Sequence, residues 1–281
     1  MLESKSPVKS TLNSLSDDSI KMDKKTYAIC TTARSGSNLL CDLLNSSKMM
    51  GNPKEILNVD SMLRPFCERH HLFQDDSQIA MNDYLNFAID KLSSKNNTFG
   101  MKVLFDQLEP FLDLQAVRQL LQTSQLIWLV RRDVVAQAVS MYIARVTNEW
   151  TAMNETENQE RENKNRRTEV QYDREKIGQF VKYLTQQNFN WLNFFAINQV
   201  DYLQVYYEDL LINPDLVCQN ICKFCGVEPE EKFSLNNARF KKQGNELNER
   251  LAATFRQESP WNLNIQSEEK TLKVRKVTII G

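Results

Sequence analysis

Residues 26–45 read TYAICTTARSGSNLLCDLLN, and this stretch decides the fold. Thr26-Tyr27-Ala28-Ile29-Cys30-Thr31 is a short run of strand-forming residues. From Asn38 to Asn45, leucines at 39, 40, 43 and 44 recur at the spacing of one helix face. Between them lies a tight polar loop, Thr32-Ala33-Arg34-Ser35-Gly36-Ser37. Strand, loop and helix form the opening unit of an α/β fold. Backbone N–H groups at such a helix start, with the helix dipole, favour an anion. Gly36 permits close approach of backbone to ligand. Arg34 adds a forked cation suited to phosphate or sulfate. Ser35, Ser37 and Asn38 add polar donors. The GxxxxGK[ST] pattern is absent, so no Lys-Ser/Thr pair serves a triphosphate and its magnesium. The plain alternative is an ordinary polar turn.

Working outward, Gly51-Asn52-Pro53 signals a turn inside an irregular segment, 49–61. Helical patches are expected at 61–71 and 81–95, and a strand at 98–104. A helix at 113–122 precedes the apolar run Leu126-Ile127-Trp128-Leu129-Val130. Such a run suits a parallel strand covered on both faces. Asp133 can cap a helix over 134–150. Residues 151–170 are highly charged and read as a mobile loop or a solvated helix end. Ile177, Phe180, Val181, Leu184, Asn188, Trp191, Leu192 and Phe195 repeat at helical spacing and mark a long core-facing helix. A strand over 200–206 and helices near 213–225 and 244–258 close the domain. The alternating tail 272–279 allows a late edge strand. Strands alternating with helices imply a mostly parallel central sheet flanked by helices, with ligands bound beyond the strands' carboxyl ends.

The chain has 281 residues, enough to bury a large core without disulfides or structural metals. With 35 basic and 36 acidic residues its net charge is −1, which gives no global field for nucleic acid or an anionic membrane. No run approaches a membrane span, and the first residues lack an apolar signal core. Of the six cysteines, Cys218, Cys222 and Cys225 share one helix face and read as core hydrophobes. His70 and His71 are the sole histidines and lie far from them, so no metal site is expected. We expect reduced thiols and a cytoplasmic location.

Further chemistry sits at the expected strand ends. Arg132 and Ser140 are eight residues apart, across a strand end and two turns of helix. They can share an anion. The plain alternative is an arginine paired with a nearby carboxylate and a serine bonded to its own helix. Glu55, after Pro53-Lys54, is a candidate general base toward an alcohol, or else a surface acid. Lys102 ends a strand and faces the same crevice, or snorkels to the surface. Tyr207, opening Tyr207-Glu208-Asp209-Leu210, can border an aromatic base or pack in the core. Arg239-Phe240-Lys241-Lys242-Gln243-Gly244 is a basic turn before the last helix, fit for a second phosphate or simply solvated.

Four segments together resemble the sulfotransferase superfamily, in particular the bacterial trehalose 2-sulfotransferase-like carbohydrate sulfotransferases. They are Thr31 to Leu40, Gly51-Asn52-Pro53-Lys54-Glu55, Gly100-Met101-Lys102, and Arg132 to Ser140. The resemblance spans roughly residues 25–258. It implies a P-loop-containing nucleotide hydrolase-like sulfotransferase fold over 24–262, between a mobile leader (1–23) and a C-terminal tail (263–281). It implies 3′-phosphoadenosine 5′-phosphosulfate (PAPS) as co-substrate, with no metal. By matching position, Arg34, Ser35, Gly36, Ser37 and Asn38 cradle the 5′-phosphosulfate, although many relatives have Thr in place of Asn38. Arg132 and Ser140 match the 3′-phosphate ligands, with Lys242 a less exact match in the basic turn. Tyr207 matches a residue near the adenine. Glu55 matches the proposed base of the trehalose-type family, where many eukaryotic members use histidine. Arg34 and Lys102 join it as catalytic candidates.

The implied reaction is sulfuryl transfer to a hydroxyl of a carbohydrate or glycolipid, with neither nucleic acid nor a membrane span involved. Relatives often work as homodimers, and a homodimer is among the assemblies the resemblance allows. Two other classes remain open: a P-loop-like nucleotide-dependent kinase, which needs the missing Lys-Ser/Thr pair, and a non-enzymatic nucleotide-binding protein.

Overall fold

The computed structural model describes residues 23–75, 78–150, 170–230, 232–237 and 246–261. The leader, the charged stretch 151–169, the basic turn with Lys242 and the tail lie outside the described residues.

The four expected strands all form: β1 (Lys25–Thr31), β4 (Thr98–Leu104), β5 (Gln125–Val130) and β6 (Tyr202–Tyr206). They make one parallel sheet in the order β4-β1-β5-β6. The chain passes from β1 to β4 on one side, then crosses to β5 on the other. The loop after β1 therefore opens at the switch point of the sheet, where α/β folds form their crevice.

Helices cover both faces. Ala28, Cys30, Met101, Val103, Leu126 and Trp128 point to one apolar layer. It is closed by α3 (Met81–Leu92), α4 (Phe105–Leu108), α5 (Gln115–Gln122) and one side of α7 (Arg174–Asn198). Tyr27, Ile29, Ile127, Leu129 and Val205 point to the other, under α1 (Ser37–Ser46) and α9 (Pro214–Phe224). This alternation across a pleat explains why each central strand reads as continuously apolar. A third cluster joins α6 (Val134–Thr147), α7 and α10 (Glu246–Gln257). All six cysteines are buried as free thiols, and burial pushes Cys222 and Cys225 up to about 12. Among the described residues no helix is long and apolar enough to cross a membrane.

Several elements depart from the sequence pattern. The segment after Asn58 forms a π-helical turn, Val59–Leu63, before α2 (Arg64–His70). Asn58 caps it by accepting from the Ser61 N–H. A small antiparallel hairpin, β2 (Phe73–Asp75) and β3 (Gln78–Ile79), follows. α6 stops at Thr147 because Asn148 turns left-handed, with φ of 59°. A short helix, α8 (Tyr207–Ile212), continues directly from β6.

The long helix α7 reaches back to the carboxyl end of β1. The buried Trp191 Nε1–H donates to the Thr31 carbonyl at 2.8 Å. Trp191→Phe keeps a ring but removes this donor. We expect it to cost about 1–3 kcal/mol, read as a lower midpoint in urea unfolding.

Candidate active site

The loop after β1 is held from below and from both sides. Thr31 Oγ1 donates to the Leu129 carbonyl at 2.9 Å and lies 2.6 Å from Ser35 Oγ. A hydroxyl has one proton, so the Ser35 hydroxyl is the donor in that pair. Ser35 is fully buried, and its side chain is committed to the loop's own structure. Its N–H is what it offers a ligand. Gln137 on α6 donates through Nε2 to Thr32 Oγ1 at 2.8 Å and to the Ala33 carbonyl at 2.6 Å.

Two left-handed residues shape the loop, Arg34 with φ of 63° and Gly36 with φ of 87°. A Cβ at Gly36 would sit 2.1 Å from the Tyr207 ring, so glycine is required twice over, by conformation and by space. Gly36 leaves α1 without a side-chain cap, and no acid stands in its first turn. The helix thus brings no acid of its own to its start, which favours an anion there.

Arg34 extends from this loop. Its Nε donates to Ser140 Oγ at 3.1 Å and its Nη1 to the Trp150 carbonyl at 2.5 Å. Ser140 therefore meets the loop arginine. Arg132 pairs with a carboxylate, the plain alternative raised by its sequence context: Nη1 and Nη2 fork onto Asp209 at 2.7 and 2.8 Å. The guanidinium also lies over the Tyr206 ring, 3.8 Å from its centroid. Hydrogen bonding from Arg132 holds the Asp209 carboxyl below the usual range.

Tyr207 is a packed tyrosine, 9% exposed, bordering the loop through Gly36. The Arg131 guanidinium lies over its ring at 5.0 Å and donates weakly to the Arg34 carbonyl at 3.4 Å. Arg131 Nε is buried with no partner among the described residues. An orphaned cationic N–H beside an uncapped helix start fits an anionic ligand. Glu208 accepts from the N–H groups of Arg132 and Asp133 at 3.1 and 3.3 Å. Asp133 caps α6 through the Ala136 N–H at 2.9 Å, and both its carboxylate oxygens accept from Arg256 Nη2 on α10.

Glu55 and Lys102 meet beside the same helix start. Lys54 forms one parallel bridge with Met101 on β4, and the Lys102 N–H donates to the Lys54 carbonyl at 2.8 Å. This rung delivers Glu55 next to Lys102. Lys102 Nζ, on a residue 6% exposed, sits 2.5 Å from Glu55 Oε1 and 2.5 Å from Asn38 Oδ1. Glu55 Oε2 accepts from Asn58 at 3.0 Å and Gln107 at 2.8 Å. Burial pushes the Glu55 carboxyl up. The Lys102 charge and the hydrogen bonds from Lys102, Gln107 and Asn58 outweigh it and leave the group below its ordinary value. An open cavity of about 220 Å³ adjoins the pair. Asn38, Asp42 and Asn45 line it from one face of α1, and Asn52, Lys54 and Ser61 from the facing segment. A larger cavity of about 490 Å³, between α7 and α5, is mainly apolar and holds none of these groups.

The structure thus brings Arg34, Ser35, Gly36, Ser37, Asn38, Glu55, Lys102 and Ser140 around one helix start. Arg132 and Tyr207 flank it, and Lys242 is outside the described residues. Sequence reasoning missed Arg131, Gln137, Glu208 and Asp209 as parts of the arrangement. Their adjacency to Arg132, Tyr207 and Ser140 was the available signal.

A family model described as Stf0 sulphotransferase matches residues 26–258. No curated protein matches the chain. A sulfotransferase from Alicyclobacillus acidocaldarius is 16% identical over 83% of this chain and 91% of its own, with a TM-score of 0.46. The sulfotransferase domain of the Synechococcus PCC 7002 olefin synthase is 16% identical over 87% of this chain and 98% of its own, with a TM-score of 0.39. A retinol dehydratase solved with androsterone and the inactive cofactor PAP is 15% identical over 82% of this chain and 64% of its own, at a TM-score of 0.36.

A carboxyl whose folded pKa is depressed stabilises the protein above its unfolded pKa, and that contribution is lost as pH falls through the folded value. Glu55 is such a group. At neutral pH the wild type should exceed Glu55→Gln by about 1–3 kcal/mol. The gap should close as pH drops through the acid range. Urea unfolding of both proteins across that range checks this.

Proposed function

The chain belongs to the Stf0 sulphotransferase family, and from that premise we propose that it moves a sulfuryl group from PAPS to a hydroxyl of a carbohydrate or glycolipid acceptor, with Glu55 as general base. The observation that carries this reading is the run Glu55–Lys102–Asn38. A carboxylate, a buried ammonium and the first turn of the uncapped helix are joined by two 2.5 Å contacts. Candidate base and anion site are thereby adjacent.

PAPS supplies an activated sulfuryl group on a phosphate leaving group. In this reading the N–H groups of residues 35–38 and the Arg34 guanidinium hold the 5′-phosphosulfate. Ser35 acts through its backbone, since its hydroxyl is turned to Thr31. Arg132 and Ser140 hold the 3′-phosphate, and Lys242 adds a further contact. Tyr207 serves the site by packing under Gly36.

Glu55 is ionised at neutral pH, the form that accepts a proton from the attacking hydroxyl. Pairing with Lys102 lowers its proton affinity. As negative charge grows on the leaving phosphate oxygen, Lys102 is drawn toward it, and the affinity of Glu55 for the proton rises. One lysine thus couples proton removal to leaving-group stabilisation, the electrostatic part of the catalysis. The adjoining cavity supports the acceptor class. Its amides and carboxylates offer both hydrogen-bond acceptors and donors, as a polyhydroxyl ligand requires.

Labelled PAPS incubated with a panel of sugars and glycolipids tests the reading. Transfer to a polyhydroxyl acceptor is expected. Glu55→Gln should lose about 10²–10⁴ in turnover while binding adenosine 3′,5′-bisphosphate within a few-fold of wild type. Equal turnover would remove Glu55 from the base role. Transfer confined to apolar alcohols would remove the carbohydrate acceptor.

A further inference from the structure

Both outer nitrogens of Arg132 are occupied by a residue of the chain itself. Nη1 and Nη2 meet Oδ1 and Oδ2 of Asp209 at 2.7 and 2.8 Å, a fork against a fork. Each partner is independently placed. The Tyr206 ring lies beneath the guanidinium at 3.8 Å. Glu208, one residue before Asp209, grips the backbone N–H groups of Arg132 and Asp133. The pair is about half exposed, with side chains 49% and 45% accessible, so it is reachable from solvent.

A phosphate seeking bidentate contact with Arg132 needs the same edge that Asp209 holds. Carboxylate and phosphate are both anions and cannot share it at hydrogen-bond distance without mutual repulsion. An exposed ion pair is weak, so a dianion with matching geometry can displace it. A neutral hydroxyl at the same position cannot.

We propose that Asp209 is an internal competitor in the nucleotide site, a stand-in for phosphate that holds Arg132 until a 3′-phosphate displaces it and so sets how tightly the bisphosphate is held. This rests on the reading of Arg132 as the 3′-phosphate ligand. Nucleotides that lack that group do not contest the pair, so it leaves their binding unchanged. For those that carry it, displacing Asp209 costs affinity, which favours release of the spent bisphosphate.

Calorimetric titration of the full chain tests this with adenosine 3′,5′-bisphosphate and, as the ligand lacking a 3′-phosphate, adenosine 5′-monophosphate. Asp209→Asn and Asp209→Ala should each tighten the bisphosphate by about three- to tenfold. They should leave the monophosphate unchanged, and the gain should persist at two ionic strengths, where a general charge effect would fade. In an Arg132→Ala background the Asp209 substitutions should give no gain, because the contested fork is gone. Unchanged or weaker bisphosphate binding in both variants would overturn the proposal and make Asp209 a residue that orients Arg132. Wild type that binds no bisphosphate would overturn the donor site itself, a different failure from a wild type that binds and variants that do not gain.

Discussion

The carboxyl end of β1 must be rigid because it carries the loop around which the site is built, and Thr31 meets that constraint. Its hydroxyl donates to β5 through the Leu129 carbonyl and receives Ser35 from the loop. Its carbonyl receives the Trp191 indole from α7. One residue thus ties together the central strand, its neighbour, the loop and a helix contributed much later in the chain. Preorganised donors act strongly only when they need not reorganise on binding. Thr31, with Gln137 across the loop, removes that freedom before any ligand arrives.

The segment Tyr207-Glu208-Asp209 plays the matching part on the far side. Three consecutive residues address three layers of the same arrangement. Tyr207 supports Gly36, Glu208 fixes the backbone of the turn after β5, and Asp209 holds the side chain of Arg132. They can do so because α8 begins without any connecting loop after β6, and β6 lies beside β5 in the sheet. A parallel neighbour brings its own carboxyl end to the same edge, so a short helix there faces the turn after β5 directly.

Much of this was legible in local sequence. The four sheet strands read correctly because each carries an apolar run or alternation, and the two central ones are covered on both faces. The loop at Arg34 was placed correctly between strand and helix because six small or polar positions interrupt two apolar patterns. The hairpin at 73–79 did not, because strands of two and three residues carry no period to read. Nor did the partners of the site. Trp191 and Thr31 are 160 residues apart, Arg132 and Asp209 77, and Gln137 and Thr32 105. Residue types announce a capacity for hydrogen bonding. Which partner satisfies it is settled by strand order, which the local pattern leaves open.

A last consequence follows from the single rung between Lys54 and Met101. One backbone hydrogen bond, from the Lys102 N–H to the Lys54 carbonyl, pins the segment that carries Glu55 to the edge of the sheet. The register of Glu55 is therefore independent of the lengths of chain before and after it. Evolution can lengthen, shorten or replace the flanking walls of the cavity, as surface loops tolerate, without shifting the carboxylate by a residue. Such a fold can change what it acts upon while keeping the same reacting group in the same place.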